Sequence, residues 1–415
     1  MKYDIDAVRS HFPALEAGGA HFEGPAGTQT PRQVIDAVTE VLANPLSNRG
    51  AATAGERNAD RTVVEARRAM ADLLGADPAG VVFGRSATQL TYDFARTLAK
   101  TWAPGDEVVV TRLDHDANIR PWVQAAQAVG ATVRWADFDP ATGELSPADI
   151  AAVLSERTRL VAVTGASNLI GTRPDLPALA RLAHARGALF HVDGVHHAAH
   201  SFVDVEALGA DFYVCSPYKF LGPHLGVLAA APALLESLAP DKLAPSTDVV
   251  PERFELGTLP YEFLAGVRAA VDFLADLADG GPSADSAASA PGTEGRRERL
   301  ERSFAALEEH EEGLRLRMEE GLAGLAPVTL HSRAADRTPT LLLTLEGRDT
   351  QDAYRFLAER GVTAPSGSFY ALEASRRLGL GDTGGLRAGL APYTDARDVD
   401  RLLEALADFL RRPTI

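Results

Sequence analysis

An α/β fold, with a large domain on a mostly parallel seven-stranded sheet and a smaller α/β domain C-terminal to it, is what this sequence predicts. Three observations carry that expectation. From about Gly75 to Ala231, short apolar β-branched runs alternate with amphipathic helical stretches, the pattern of a parallel sheet covered on both faces. Two of the runs end in a charged residue, Asp193 and Lys219, although isolated charge at the end of an internal strand is costly to desolvate. The last part of the chain repeats the strand and helix alternation on a smaller scale.

The runs are Val81-Val82-Phe83, Val108-Val109-Val110, Val133-Arg134-Trp135, Leu160 to Val163, Leu189 to Val192 and Phe212-Tyr213-Val214. Leu225 to Ala229 follows the last of them too closely for a helical crossover, which predicts antiparallel pairing. Between about Asp279 and Gly295 the composition turns to Gly, Ser, Ala and Pro, as in a flexible surface insertion. A charged helix is predicted from about Arg296 to Leu325, with Leu300, Phe304, Leu307, Leu314, Met318 and Leu322 at helical spacing. The second unit then reads as strand Thr340 to Thr344, helix Thr350 to Glu359, strand Leu386 to Leu390 and helix Ala396 to Leu410.

Hydrophobic content of 46% and charged content of 24% are those of a soluble globular protein. The formal net charge of −16, with no evident basic patch, argues against nucleic acid or an anionic membrane surface as partner. One cysteine, Cys215, excludes an intrachain disulfide and a multi-cysteine metal site. The first residues lack a signal-peptide apolar stretch, and no run of about 18 apolar residues occurs, so a soluble cytoplasmic protein is the expectation.

Asp193 and Lys219 close two runs joined by one helix-like stretch, Val203 to Leu208. A right-handed crossover places both on the same edge of a parallel sheet, where ligands of open α/β sheets bind. Other polar groups follow neighbouring runs. Gly84-Arg85-Ser86-Ala87-Thr88-Gln89 starts a helix and reads either as a phosphate site or as a simple cap. It lacks the Walker lysine and the full Rossmann glycine pattern, which weakens a nucleotide reading. His115 can stack on a flat heteroaromatic ring, and Asn168 offers an amide. A phosphate cradle, a stacking ring, a strand-end carboxylate and a strand-end lysine together fit pyridoxal phosphate. Asp193 would keep its pyridine nitrogen protonated, and Lys219 would hold it as a Schiff base before serving as the proton-transfer base.

On these motifs, in this order, the chain resembles the class V aminotransferase-fold, pyridoxal-phosphate-dependent enzymes of fold type I, nearest to the cysteine desulfurases. The resemblance runs from about His21 to the last helix. It implies that His115 stacks on the cofactor ring, that Asn168 lies near the ring hydroxyl, that Asp193 pairs with the pyridinium and that Lys219 forms the Schiff base. Ser86, Ala87, Thr88 and Ser216 would hold the phosphate. Arg253 to Thr258 resembles a segment that delivers a threonine, here Thr258, to the partner's phosphate, implying a homodimer with shared active sites. Arg387, in Leu386-Arg387-Ala388-Gly389-Leu390, matches the arginine that grips a substrate α-carboxylate. Taken without its neighbours it would read as half of a surface salt bridge. The resemblance also implies an N-terminal segment (1–20) packed on the small domain, a large domain (21–262) and a small domain (263–415).

The pattern departs in three places. Tyr370, in Ser366-Gly367-Ser368-Phe369-Tyr370-Ala371, stands where a desulfurase has its persulfide cysteine, and a phenol cannot carry a persulfide. His196 replaces a glutamine beside the ring hydroxyl, and Tyr218 replaces a histidine next to the lysine; each still offers a hydrogen-bond donor. A lyase that abstracts the α-proton of a cysteine-like or other β-substituted amino acid and expels the β-group is the leading expectation. An aminotransferase or epimerase on the same frame is the alternative, a decarboxylating variant is a further one, and a non-catalytic interaction protein is the remote one.

Overall fold

The computed structural model describes residues 3–282 and 295–413. Most of the Gly/Ser/Ala/Pro stretch expected as a surface insertion therefore lies outside the described residues. Seven strands form the main sheet in the spatial order Val81–Gly84, Gly226–Ala230, Phe212–Cys215, Leu189–Asp193, Thr158–Thr164, Glu107–Thr111 and Thr132–Ala136. All neighbours are parallel except Gly226–Ala230, which runs antiparallel to both strands beside it.

The sheet forms because its strands are apolar on both faces. Val81, Phe83, Val161, Val163, Phe190, Val192 and Tyr213 point into one core, which the helices Ala54–Leu74 and Tyr261–Ala275 cover. Their alternates, including Val82, Leu160, Ala162, Phe212 and Val214, point into a second core covered by Ala87–Ala99 and Arg120–Val129. The antiparallel strand approaches the start of helix Ala87–Ala99 so closely that a Cβ at Gly226 would stand 2.3 Å from the Ser86 backbone carbon. Only glycine permits that contact, and it fixes the helix start at the C-terminal edge of the sheet.

A four-stranded antiparallel sheet, in the order Ser366–Gly367, Gly385–Gly389, Thr340–Leu345 and Val328–Leu330, carries the C-terminal unit. The helices Thr350–Ala358 and Ala396–Arg411 and the end of the long helix Arg296–Ala323 enclose its core, which also receives Ala20 and Phe22. Val328–Leu330 was not foreseen, being three residues long and only half buried.

The cores do not divide at residue 262. Helix Tyr261–Ala275 gives Leu264, Val267, Val271 and Leu274 to the large core, as does the first half of the long helix with Leu300, Phe304 and Leu307. Leu314, Met318 and Leu322, beginning about two turns further along the same helix, belong to the small core. An apolar stripe at helical spacing looks the same whichever core it enters, so the boundary falls inside a continuous helix where sequence patterning cannot register it. The N-terminal residues touch both sides: Arg9 pairs with Asp398 at 2.6 Å and Tyr3 donates to the Pro392 carbonyl, while Phe12 meets both Phe273 and Tyr393. Among the described residues no helix is long and apolar enough to cross a membrane.

Candidate active site

Parallel pairing places Asp193 at the end of its strand between Thr164 and Val214, and the next strand delivers Ser216 and Lys219 to the same edge. A small chamber of about 80 Å³ lies there, walled by Ser86, Ala87, Thr88 and Ser216 on one side and by His115, Asn168, Asp193 and His196 on the others. Tyr218 and Lys219 close it and also line a larger, more open cavity of about 740 Å³. The small domain reaches that outer cavity with Phe369, Tyr370 and Arg387. Of the residues selected from sequence, only Thr258 lines neither space; it is exposed, on a segment held at the sheet edge by Glu255, which pairs with Arg67 at 2.7 Å and accepts from the Phe83 N–H at 2.8 Å.

Lys219 is 7% exposed and donates from Nζ to the Pro25 carbonyl. Burial, reinforced by the Arg387 charge and opposed by Asp193, lowers its amine to about 7. Asp193 accepts from the Val195 N–H at 2.9 Å, and burial raises its carboxyl to about 6 against the pull of that bond and of Lys219. His115 accepts from the Ala117 N–H through Nδ1 at 3.0 Å, and burial, with Lys219 and Arg387 nearby, pushes it down to about 4. It therefore presents a neutral ring. Ser86 caps the helix, its Oγ accepting from the Gln89 N–H at 3.1 Å, and its hydroxyl proton lies beside first-turn amides that have no partner within the helix.

Arg387 is not a surface salt bridge. It is 1% exposed, and among the described residues no carboxylate pairs with it. Nη1 donates to the Asn168 carbonyl at 2.8 Å and the guanidinium lies 3.6 Å from the Phe369 ring centroid, while Nε and Nη2 are buried without partners. Burial alone brings the guanidinium down to about 9. A buried cation with two free donors and an open cavity in front of it is arranged for an anion that binds in two places.

Three contributors were missed from sequence. Pro25 comes from a segment that lies against the last small-domain strand so tightly that a Cβ at Gly24 would stand 2.1 Å from the Leu390 carbonyl oxygen. The Gly24 to Gly27 spacing was the only signal. Phe369 holds φ +51° and Tyr370 φ +57°, a left-handed pair that side chains seldom adopt. The pair is pinned by the Asp116 N–H on the Tyr370 carbonyl at 2.7 Å and by Asn168 Nδ2 on the Phe369 carbonyl at 3.0 Å. It packs Phe369 under Arg387 and leaves Tyr370 77% exposed at the cavity mouth. Asp114, fully buried behind His115, accepts from Thr111 and from Asn118 at 2.7 Å and holds the His115 loop; burial raises it to about 8.

Comparison with known proteins places this geometry. The Aminotransferase class-V family model matches residues 20–281 and 298–402. The chain belongs to the class-V aminotransferase family. Its sequence is 33% identical over 428 residues to a cysteine desulfurase of Dickeya dadantii, covering 97% of this chain and 96% of that one. It is 32% identical to the aminotransferase-like protein FGM3 of Gibberella zeae, with 97% and 98% covered. The crystal structure of the cysteine desulfurase CsdA from Escherichia coli superimposes with a TM-score of 0.85 at 27% identity over 99% of both chains. This member of the class-V aminotransferase family is accordingly of fold type I and depends on pyridoxal phosphate, acting on an amino acid.

The chamber of this class-V protein fits that cofactor on its own chemistry. A neutral-capable amine, a carboxyl for a pyridine nitrogen, a flat neutral ring and a helix start for a phosphate surround one space. Asn168 Oδ1 and His196 Nδ1 are buried without partners at its wall, as expected of groups that wait for a ligand.

Proposed function

We propose that this enzyme is a lyase that eliminates the β-substituent of a cysteine-like amino acid without forming a protein persulfide. The observation that carries this reading is a thiol-free site: Tyr370 occupies the loop position facing Lys219 and Arg387, and the one cysteine, Cys215, is buried in the central sheet with its thiol pushed up by burial and by Asp193. Buried cysteines of this kind behave as small hydrophobes.

When bound, pyridoxal phosphate supplies an electron sink that acidifies the substrate α-carbon. In this reading Arg387 Nε and Nη2 would take the α-carboxylate, with the guanidinium seated against the Phe369 ring. Asp193 would hold the proton at the pyridine nitrogen, and His115 would cover one ring face as a neutral imidazole. Lys219 would hold the cofactor, and its free Nζ would be the base placed to take the α-proton as the β-group leaves with its bonding electron pair. Incubating the loaded enzyme with L-cysteine, L-cystine and S-alkylcysteine sulfoxides is expected to release pyruvate, ammonia and the β-substituent. Silence across that panel, or conversion of the cofactor to its amine form instead, would favour the aminotransferase alternative.

A homodimer belongs to the same reading. Thr258 lies outside its own chain's cavity, and Leu256 and Phe263, near it in sequence, are exposed apolar residues, as are Leu243, Val249, Leu42 and Leu46. Thr258→Ala is expected to weaken cofactor affinity about tenfold, the loss of one charge-assisted hydrogen bond of about 1.5 kcal/mol, in a protein that still sediments as a dimer. A monomer in sedimentation, or unchanged affinity, would refute the shared site.

A further inference from the structure

The loop that presents Tyr370 is held in a conformation that neither of its residues favours: Phe369 and Tyr370 have φ of +51° and +57°, where side chains crowd the backbone. Groups of the large domain fix it there. Asn168 Nδ2 donates to the Phe369 carbonyl at 3.0 Å, and the Asp116 N–H donates to the Tyr370 carbonyl at 2.7 Å. Three positions on, Glu373 is 9% exposed and pairs with Arg112 at 2.6 Å and with Arg120 at 2.9 Å. So fastened, the loop carries one side chain at a set place, and among the described residues the hydroxyl of that side chain has no hydrogen-bond partner.

The place is beside the carboxylate grip. Phe369 lies 3.6 Å from the Arg387 guanidinium, and Arg387 Nη1 reaches the Asn168 carbonyl at 2.8 Å, so Tyr370 is one residue removed from the group that would take the substrate carboxylate. The inner chamber of about 80 Å³ has room for the cofactor alone, which leaves a β-substituent to the outer cavity that Tyr370 lines. The Tyr370 ring stands 5.6 Å from that of His115, on the cavity side. Other titratable groups there are committed. Asp116 is paired with Arg120 at 2.8 Å and has no proton to give, His115 is a neutral ring that accepts from Ala117, and Lys219 lies deep in the site against Pro25. The other phenols are on the cofactor side, Tyr92 one turn along the helix from Thr88 and Tyr218 in the chamber wall.

We propose that Tyr370 is the general acid for the leaving group, giving the proton of its Oη to the β-sulfur as the Cβ–S bond breaks; this role rests on the elimination reading. The α-proton goes to Lys219 Nζ, the electron pair of the Cβ–S bond goes to sulfur, and the Tyr370 proton turns that thiolate into a neutral thiol. The substrate thus loses one proton and its departing half gains one. The three-carbon unsaturated amine left behind takes up water to give pyruvate and ammonia. Tyr370, 77% exposed, recovers its proton from solvent. A phenol keeps its proton at neutral pH and is close in acidity to an alkanethiol, the match that general acid catalysis asks for.

The test compares kcat/KM for pyruvate formation by the loaded enzyme from S-methyl-L-cysteine, whose methanethiolate needs a proton, and from β-chloro-L-alanine, whose chloride needs none. Tyr370→Phe keeps the ring and the loop and removes the hydroxyl. It is expected to lower the ratio of the first value to the second about 100-fold, the scale of one general acid. A tyrosine that only lines the site would slow both substrates alike; a ratio equal to the parent's would leave Lys219 to return the α-proton to sulfur and would overturn the proposal. So would a ratio that falls in Tyr92→Phe or Tyr218→Phe and not in Tyr370→Phe, or a parent enzyme that turns over the chloride alone. No pyruvate from either substrate in the parent refutes elimination itself, and this role with it, a result distinct from an unchanged ratio in an active enzyme.

Discussion

Lys219→Ala is expected to bind pyridoxal phosphate without the visible absorbance of the lysine-linked cofactor and to lose at least about 10³-fold in turnover, because one residue both carries the cofactor and moves the proton. The parent enzyme should also reveal the environment of that amine. An amine lowered to about 7 by burial is about one-tenth neutral at pH 6 and about nine-tenths neutral at pH 8, so cofactor uptake by the stripped enzyme should rise roughly tenfold over that interval and then level. An ordinary solvated lysine would keep gaining past pH 9. Stability carries the same signature with a definite sign. Between about 7 and 10.5 the unfolded chain binds the proton and the folded chain does not, so the stripped protein gains stability as pH rises through that window, and below about 7 it bears the full cost of a buried charge. A visible absorbance that survives Lys219→Ala would remove the centre of the account.

Arg387→Met should raise KM for an amino acid about 100-fold and, at the same time, raise the melting temperature of the stripped enzyme. Two charge-assisted hydrogen bonds to a carboxylate, at about 1.5 kcal/mol each, correspond to about 10² in affinity. The stability gain follows from the site before substrate arrives. A 1% exposed guanidinium with no carboxylate among the described residues and two unpartnered donors is a standing desolvation cost. An apolar side chain of similar length relieves it by on the order of 1 kcal/mol, after the lost bond to the Asn168 carbonyl and the lost stacking on Phe369 are set against it. A higher KM together with a higher melting temperature distinguishes a ligand-binding arginine from a structural one, for which KM would rise and the melting temperature would fall.

The large sheet was legible because strands buried on both faces leave continuous apolar runs, and a charged residue closing such a run, as Asp193 and Lys219 do, stands out against them. Arg387 was legible only through its neighbours: nothing in Leu386-Arg387-Ala388 says that the guanidinium would be buried without a carboxylate. What sequence could not register depends on contacts between distant segments. Lys219 meets Pro25, 194 positions away, and Asn168 meets Phe369, 201 positions away. The left-handed pair at Phe369 and Tyr370 contains no glycine to announce it. Asp114 reads as a loop acid until its burial behind His115 is seen. For a related reason sequence does not register that one uninterrupted helix, Arg296–Ala323, serves two cores.

The central claim is elimination at a site without a thiol, and the products formed from L-cysteine by the loaded parent enzyme and by Cys215→Ala test it most directly. The account predicts pyruvate, ammonia and sulfide in equal amounts, with solvent deuterium in the pyruvate methyl group and the same rate in both proteins. Alanine as the product, with sulfur retained on the protein and activity lost in Cys215→Ala, would contradict it.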